Sequence, residues 1–216
     1  ITWVCRRAQA ASRVDEVLVA TDDARIADVV TASGFTAVMT SSEHETGTDR
    51  IAEAIAEQPG DLIVNLQGDE PLLPSGVVDR LVAVMQSETA EMGTVAVPFC
   101  QTDANPDDPN AVKVVVDERG HALYFSRSRL PYHRQGGTPV EPLWHWGLYA
   151  YRREFLETFV GWPRGRLEKC EMLEQLRALE RGARIRVLEV KAQSIGVDVP
   201  DDVARVEAVL REQGEI

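Results

Sequence analysis

Apolar runs that alternate with helical patterns dominate the first 87 residues of this chain, and that alternation restricts its fold more than any other feature. Val14 to Ala20 is a short β-rich run broken by Thr21-Asp22-Asp23. Ala24 to Ser33 then has helical spacing, with Thr21 or Asp22 as its cap and Gly34 as its stop. Phe35 to Met39 predicts a second strand, Arg50 to Glu57 a helix, Leu62 to Leu66 a third strand and Ser75 to Ser87 a further helix. Such alternation implies an α/β fold: a mostly parallel sheet with helices on both faces.

The remainder changes character. Gly93 to Phe99, Val112 to Val116 and His121 to Ser126 read as strands, with a polar loop from Gln101 to Asn110. Arg134 to Pro142 is a Gly/Pro-bearing loop, and Trp144 to Tyr151 is apolar and aromatic. Leu167 to Arg181 reads as one strong helix stopped by Gly182. Ile185 to Val190 and Ser194 to Val197 predict late strands, and Pro200 to Gln213 a final amphipathic helix with Pro in its first turn. Thr2 to Ala10 already has helical apolar spacing, so the sequence opens part-way into a fold.

With 216 residues, 44% hydrophobic and 27% charged, the chain reads as globular, one domain or one domain with an appendage. Its formal net charge of -12 argues against a nucleic-acid surface, so an acidic substrate must be gripped by local cations, amides or metal. Cys5, Cys100 and Cys170 share no CxxC spacing, which fits a reducing cytoplasm rather than a disulfide framework or structural zinc. No apolar run is long enough for a membrane span.

Val64-Asn65-Leu66-Gln67-Gly68-Asp69-Glu70-Pro71 carries the chemistry. A strand runs into a Gly turn followed at once by two carboxylates. Ligands of open α/β sheets collect at the carboxyl ends of strands, and Mg²⁺ takes carboxylate and phosphate oxygens there. An ordinary acidic turn has the same letters. Asp198 repeats the pattern at the end of Ile195-Gly196-Val197, early for the helix-start role that suits Asp201 and Asp202. Asp69 and Asp198 are therefore the candidate pair for one Mg²⁺.

Other polar groups allow two readings each. Glu43 to Arg50 is a polar loop entering a helix, either reading a base, ribose or phosphate or simply N-capped by Thr48. Ser126-Arg127-Ser128-Arg129 fits a bidentate grip on a sugar-acid carboxylate and equally a solvated basic rim. His145, between Trp144 and Trp146, has the setting of a structural histidine. Glu171, Glu174 and Gln175 would share a helix face at i, i+3 and i, i+4, open to solvent or a ligand, above buried Met172, Leu173 and Leu176.

Taken in order, Ala20-Thr21-Asp22-Asp23, Gly47-Thr48-Asp49-Arg50, Asn65 to Pro71, Tyr124-Phe125-Ser126-Arg127, His145 to Tyr151, Leu167-Glu168 with Glu171 to Arg177, and Gly196-Val197-Asp198 before Pro200 resemble the 3-deoxy-manno-octulosonate (Kdo) cytidylyltransferases, or CMP-Kdo synthetases. The ordered set is specific and covers nearly the whole chain. The resemblance implies a nucleotide-transferase, Rossmann-like sheet with a small antiparallel extension, in a homodimer. It implies the reaction Kdo + CTP → CMP-Kdo + pyrophosphate for lipopolysaccharide precursor synthesis. It assigns Mg²⁺ to Asp69 and Asp198, sugar contacts to Gln67, Arg127, His145, Glu174 and Gln175, and the nucleotide segment to Thr48 and Arg50. Nucleic acid and membrane are not expected partners.

Two departures stand out. The family's basic, Gly-containing N-terminal loop has no counterpart after Ile1, so the chain as given is expected to bind CTP poorly and turn over slowly. Val199 stands where the family commonly has Thr, removing a helix cap for about 1 kcal/mol. The rival expectations are a cytidylyltransferase for 8-amino-Kdo or a sialic-type sugar, and an inactive sugar- or nucleotide-binding fragment. Gln67 to Pro71 favours the Kdo branch, since sialate enzymes generally carry a Pro-Thr-Ser type turn there.

Overall fold

In the computed structural model, residues 1–191, 194–197 and 199–216 are described. The chain forms two units, one of residues 1–59, 65–79 and 193–216, the other of 60–64 and 80–192. Among the described residues no helix is long and apolar enough to cross a membrane.

The first unit starts with α1 (Thr2–Gln9), which buries Val4 and Cys5. Strand β1 (Leu18–Thr21) runs parallel to β2 (Thr36–Met39), in register from Leu18 opposite Thr36 to Thr21 opposite Met39. Helix α2 (Ala24–Ala32) makes the crossover, and Cys5, Val19 and Val30 close the core beneath it. Its cap is Asp23 rather than Thr21 or Asp22: Asp23 accepts the Arg25 amide, while Thr21 Oγ1 accepts the amide of Asp23. Helix α3 (Gly47–Ala54) begins three residues earlier than its spacing predicts, because Thr46, not Thr48, caps it by accepting the Asp49 amide. The last helix, α8, spans Pro200–Glu212 and buries Val206 and Leu210 against Leu72, with Trp3 and Val197 alongside.

The second unit is built on one sheet. Strands β3 (Leu62–Asn65, its last residue counted in the first unit), β4 (Met92–Pro98), β5 (Lys113–Val116), β6 (Ala122–Ser126), β7 (Leu143–Arg152) and β8 (Ile185–Glu189) belong to it. The order is β6-β5-β7-β4-β8, with β3 also paired to β7. β4 is parallel to β8; β4 with β7, β5 with β6 and β5 with β7 are antiparallel. All seven residues of β4 are buried, which explains why Thr94 is its one polar side chain: the strand is covered on both faces. Helix α4 (Ser75–Ser87) comes so close that a Cβ at Gly93 would lie 2.7 Å from Met85 Sδ. The α/β class and the nucleotidyltransferase fold expected from the sequence hold.

Three local expectations are corrected. The single helix expected over Leu167 to Arg181 is two, α6 (Arg166–Glu171) and α7 (Gln175–Glu180), separated at Met172 with φ 52°. A left-handed Met costs free energy, so the break needs compensating bonds, described below. Residues 194–197 form no strand; their polar groups bond to a turn. Helix α5 (Arg153–Val160), which the sequence reading missed, follows β7 directly and buries Leu156 and Phe159.

Candidate active site

In the first unit, β3 ends at buried Asn65, whose Oδ1 accepts a hydrogen bond from Gln67 Nε2 at 3.1 Å. The Glu70 amide then bonds back to Gln67 O at 3.3 Å, closing a turn with Gly68 and Asp69 at its centre. Asp69 is exposed, and its carboxylate makes no ion pair among the described residues. Its backbone is fixed: the Val197 amide donates to Asp69 O at 2.8 Å, and Ser194 Oγ donates to Glu70 Oε2 at 2.7 Å. A Cβ on Gly196 would meet Glu70 Oε1 at 3.4 Å, so residues 194–197 lie tightly against the turn. The expected partner Asp198 lies outside the described residues.

Thr48 is buried in the first turn of α3. Arg50 reaches back to β2: Nη1 donates to Thr40 Oγ1 at 2.7 Å, and Nη2 pairs with Asp22 at 3.2 Å. The guanidinium thus ties the Thr21-Asp22-Asp23 turn to α3. Asp23 itself is held down to about 2 by the Arg25 side chain and amide.

In the second unit, Arg127 and Glu171 form the knot that compensates the helix break. Ser126 Oγ donates to Glu171 Oε1 at 2.7 Å, and the Arg127 amide to Oε2 at 3.0 Å. Arg127 Nε donates to Glu171 O at 2.8 Å and Nη1 to Pro109 O at 3.0 Å. Glu171 is therefore turned toward β6, and its expected row with Glu174 and Gln175 does not form. The helix stops, and Gln175 restarts it as the first residue of α7.

Gln175 is 4% exposed, and its Nε2 donor has no partner among the described residues. Burying an amide unpaired costs about 1–3 kcal/mol, so this donor calls for an oxygen, from water or from a ligand, that the described residues do not supply. Beside it in sequence, Glu174 accepts from Arg177, whose guanidinium also makes a two-pronged bond to buried Glu168 and stacks 4.7 Å over Phe159. At Glu168, burial pushes the carboxyl up, but the Arg177 and Gly165 hydrogen bonds prevail and leave it below its ordinary value.

His145 is buried on β7, with Thr94 Oγ1 3.0 Å from its Nε2. Burial pushes its pKa down to about 3, so the ring is neutral. Tyr149 packs against it at 5.4 Å, and its hydroxyl is raised well above its usual value, chiefly by burial, with Tyr151 and the Glu174 charge adding to it. His145 and Tyr149 are thereby neighbours, and the Glu174 charge is felt at the Tyr149 hydroxyl.

Among the described residues no group of three or more His, Cys, Asp or Glu could hold a metal alone. Mg²⁺ needs no such group when phosphate and water complete its shell, and the exposed Asp69 carboxylate at a turn apex is a donor of the right kind.

The sequence reading missed Thr94, Lys113 and Tyr149, which touch the candidate residues His145 and Arg127. Lys113 had a signal: it is the one charge in the apolar run Ala111 to Val116. It is fully buried, and its Nζ donates to Asp108 O at 2.9 Å and Arg127 O at 2.5 Å. It thus pins the backbone of Arg127 from below. Burial lowers its pKa, against the pull of Asp108 and Asp107.

Comparison with known proteins identifies the family. A family profile described as cytidylyltransferase matches residues 1–185. A 3-deoxy-manno-octulosonate cytidylyltransferase of Syntrophotalea carbinolica is 50% identical over 215 residues, covering 95% of this chain and 85% of that protein. Its counterpart in Myxococcus xanthus is 46% identical, covering 99% and 87%. The solved structure of CMP:2-keto-3-deoxy-manno-octonic acid synthetase complexed with CTP superposes with a TM-score of 0.92 at 40% identity, covering 99% of this chain and 88% of that one. By profile, by sequence and by superposition, this chain belongs to the 3-deoxy-manno-octulosonate cytidylyltransferase family.

Proposed function

We propose that this protein transfers CMP from CTP to the anomeric hydroxyl of Kdo and releases pyrophosphate, supplying activated sugar for lipopolysaccharide synthesis. The observation that carries the reading is the buried Gln175 Nε2, which has no partner among the described residues, in a chain of this family. A buried donor of that kind gains from an oxygen that completes it, and a sugar acid is rich in such oxygens.

Gln67, Arg127, His145, Glu174 and Gln175 are the sugar contacts in this reading, and Thr48 and Arg50 serve the nucleotide segment. Because Arg127 Nε, Nη1 and Nη2 each donate to a carbonyl, of Glu171, Pro109 and Met172, its part is chiefly to hold the α6–α7 break, with the second N–H of each terminal nitrogen left for a carboxylate. Arg50 acts mainly by ordering the Thr21-Asp22-Asp23 turn. Asp69 and Asp198 would hold Mg²⁺. When bound, the metal lowers the pKa of a coordinated sugar hydroxyl and offsets phosphate charge. The protein's own contribution is position: reactants are aligned for in-line displacement at the α-phosphorus, and no covalent enzyme intermediate is required.

A cytoplasmic homodimer completes the reading, with residues 121–165 as sugar-binding and dimer extension. In that stretch Leu123, Tyr132 and Val140 are 62%, 86% and 64% exposed, which suits a covered surface. Light scattering of the purified protein reads the oligomeric state.

The test of the reaction is pyrophosphate release with CTP, with and without Mg²⁺, across Kdo, 8-amino-Kdo and a sialic acid. Turnover that requires Kdo and Mg²⁺ is the expected result. Preference for another sugar moves the specificity, and calorimetric binding of neither CTP nor any sugar acid sinks the proposal.

A further inference from the structure

Thr94 has no exposed surface and sits where β4 and β7 slip in register, with Thr94 opposite Tyr149 and Val95 opposite Trp146. Gly147 and Leu148 are thereby looped out of the ladder. A bulge leaves backbone groups unpaired, and here a side chain meets them. Thr94 Oγ1 lies 2.8 Å from Leu148 O, 3.3 Å from Trp146 O and 3.0 Å from His145 Nε2.

One hydroxyl carries one proton and two lone pairs, whereas a carbonyl only accepts. The proton therefore points at the nearer carbonyl, Leu148. An unprotonated Nε2 would then set its lone pair against a lone pair of Oγ1 at 3.0 Å inside the protein, where that repulsion is poorly screened. Nε2 must carry the proton and donate to Thr94. Since the buried ring is neutral, Nδ1 is left as an acceptor, and among the described residues nothing donates to it.

We propose that Thr94 is a positioning residue: it fixes His145 as the Nε2–H tautomer, so that Nδ1 accepts a hydrogen bond from a substrate sugar hydroxyl. Paired with the Gln175 donor, this gives the sugar site one acceptor and one donor of fixed sense. Such a site selects a hydroxyl at one ring position and rejects the corresponding deoxy sugar. The inference deepens the proposed function and rests on it for the identity of the ligand, not for the tautomer.

Two measurements test it. Long-range ¹H–¹⁵N correlation of the imidazoles at neutral pH, with His145 assigned by His145→Gln, should show a protonated Nε2 and a bare Nδ1. A proton on Nδ1, or on both nitrogens, overturns the proposal. Calorimetry on Thr94→Val should show sugar affinity down by about tenfold or more with CTP affinity within about twofold, while Thr94→Ser stays near the parent for both. Unchanged sugar affinity in Thr94→Val, or equal loss for both ligands, overturns it. If Thr94→Val does not fold, the parent spectrum and Thr94→Ser decide. A parent protein that binds no sugar acid defeats the proposed function instead, and the tautomer is still read from the spectrum.

Discussion

Arg127 Nε donates to the main-chain carbonyl of Glu171 at 2.8 Å, while the Glu171 carboxylate accepts the Arg127 amide at 3.0 Å. Each residue thus satisfies the other's backbone, and that reciprocal pair holds the helix break from which α7 starts. Replacing Arg127 by Lys keeps the charge but not the planar fork that spans the carbonyls of Pro109 and Glu171. Arg127→Lys should lower unfolding free energy by about 1–3 kcal/mol in urea titration and weaken sugar-acid binding, with CTP binding retained.

Gln175→Met separates stability from function. Methionine fills similar volume without an unpaired buried donor. Thermal melting should show a midpoint equal to or above the parent, while calorimetry shows sugar affinity down by about tenfold. A less stable variant that binds sugar normally would contradict the assignment.

Asp69→Asn tests the metal assignment. The Val197 amide bonds to the Asp69 main-chain oxygen, so the turn survives the substitution. Mg²⁺-dependent turnover should fall by about a hundredfold or more, with an unchanged melting midpoint, in the pyrophosphate assay.

Glu168 and Arg177 are buried together, at 5% and 3% exposure. Removing one member strands the other, so Glu168→Gln should cost about 3–5 kcal/mol. Glu168 is depressed below its ordinary 4.5, hence its contribution is complete above that pH and is lost as pH falls through the lower folded value. Urea midpoints measured from pH 5 to 2 should fall less steeply in Glu168→Gln than in the parent.

His145 acts over a different window. Its folded pKa, about 3, lies below its ordinary 6.5, so between these values the unfolded chain holds the extra proton. Stability is full above pH 6.5 and declines as pH falls toward 3. His145→Gln should flatten the decline between pH 6.5 and 5. In the parent, sugar affinity should show no inflection near 6.5, because the folded ring does not titrate there.

Much of the molecule is legible in its letters where the signal is local. Alternation of apolar runs with helical spacing located β1 through α4, and Ser75–Ser87 matches the expected span. The turn at Gln67 to Glu70 follows from Gly and acids after a strand. Where a non-local partner competes, local pattern fails. Leu167 to Arg181 has continuous helical propensity, yet Arg127, far away in sequence, captures the carbonyl of Glu171 and ends the helix. Likewise Ser194 to Val197 has strand letters, but a turn supplies its bonds.

By itself the sequence determined the α/β class and the family, and it singled out the candidate polar groups, because apolar periodicity and ordered short motifs act over a few neighbours. Only the tertiary structure decided which of those groups are free to act. Packing buries Gln175 without a partner among the described residues, occupies Arg127 and Arg50 with carbonyls and a carboxylate, and sets Thr94 against His145 across a register slip. Hydrogen-bond satisfaction in a dry interior depends on groups brought together from distant positions, and no local pattern encodes it.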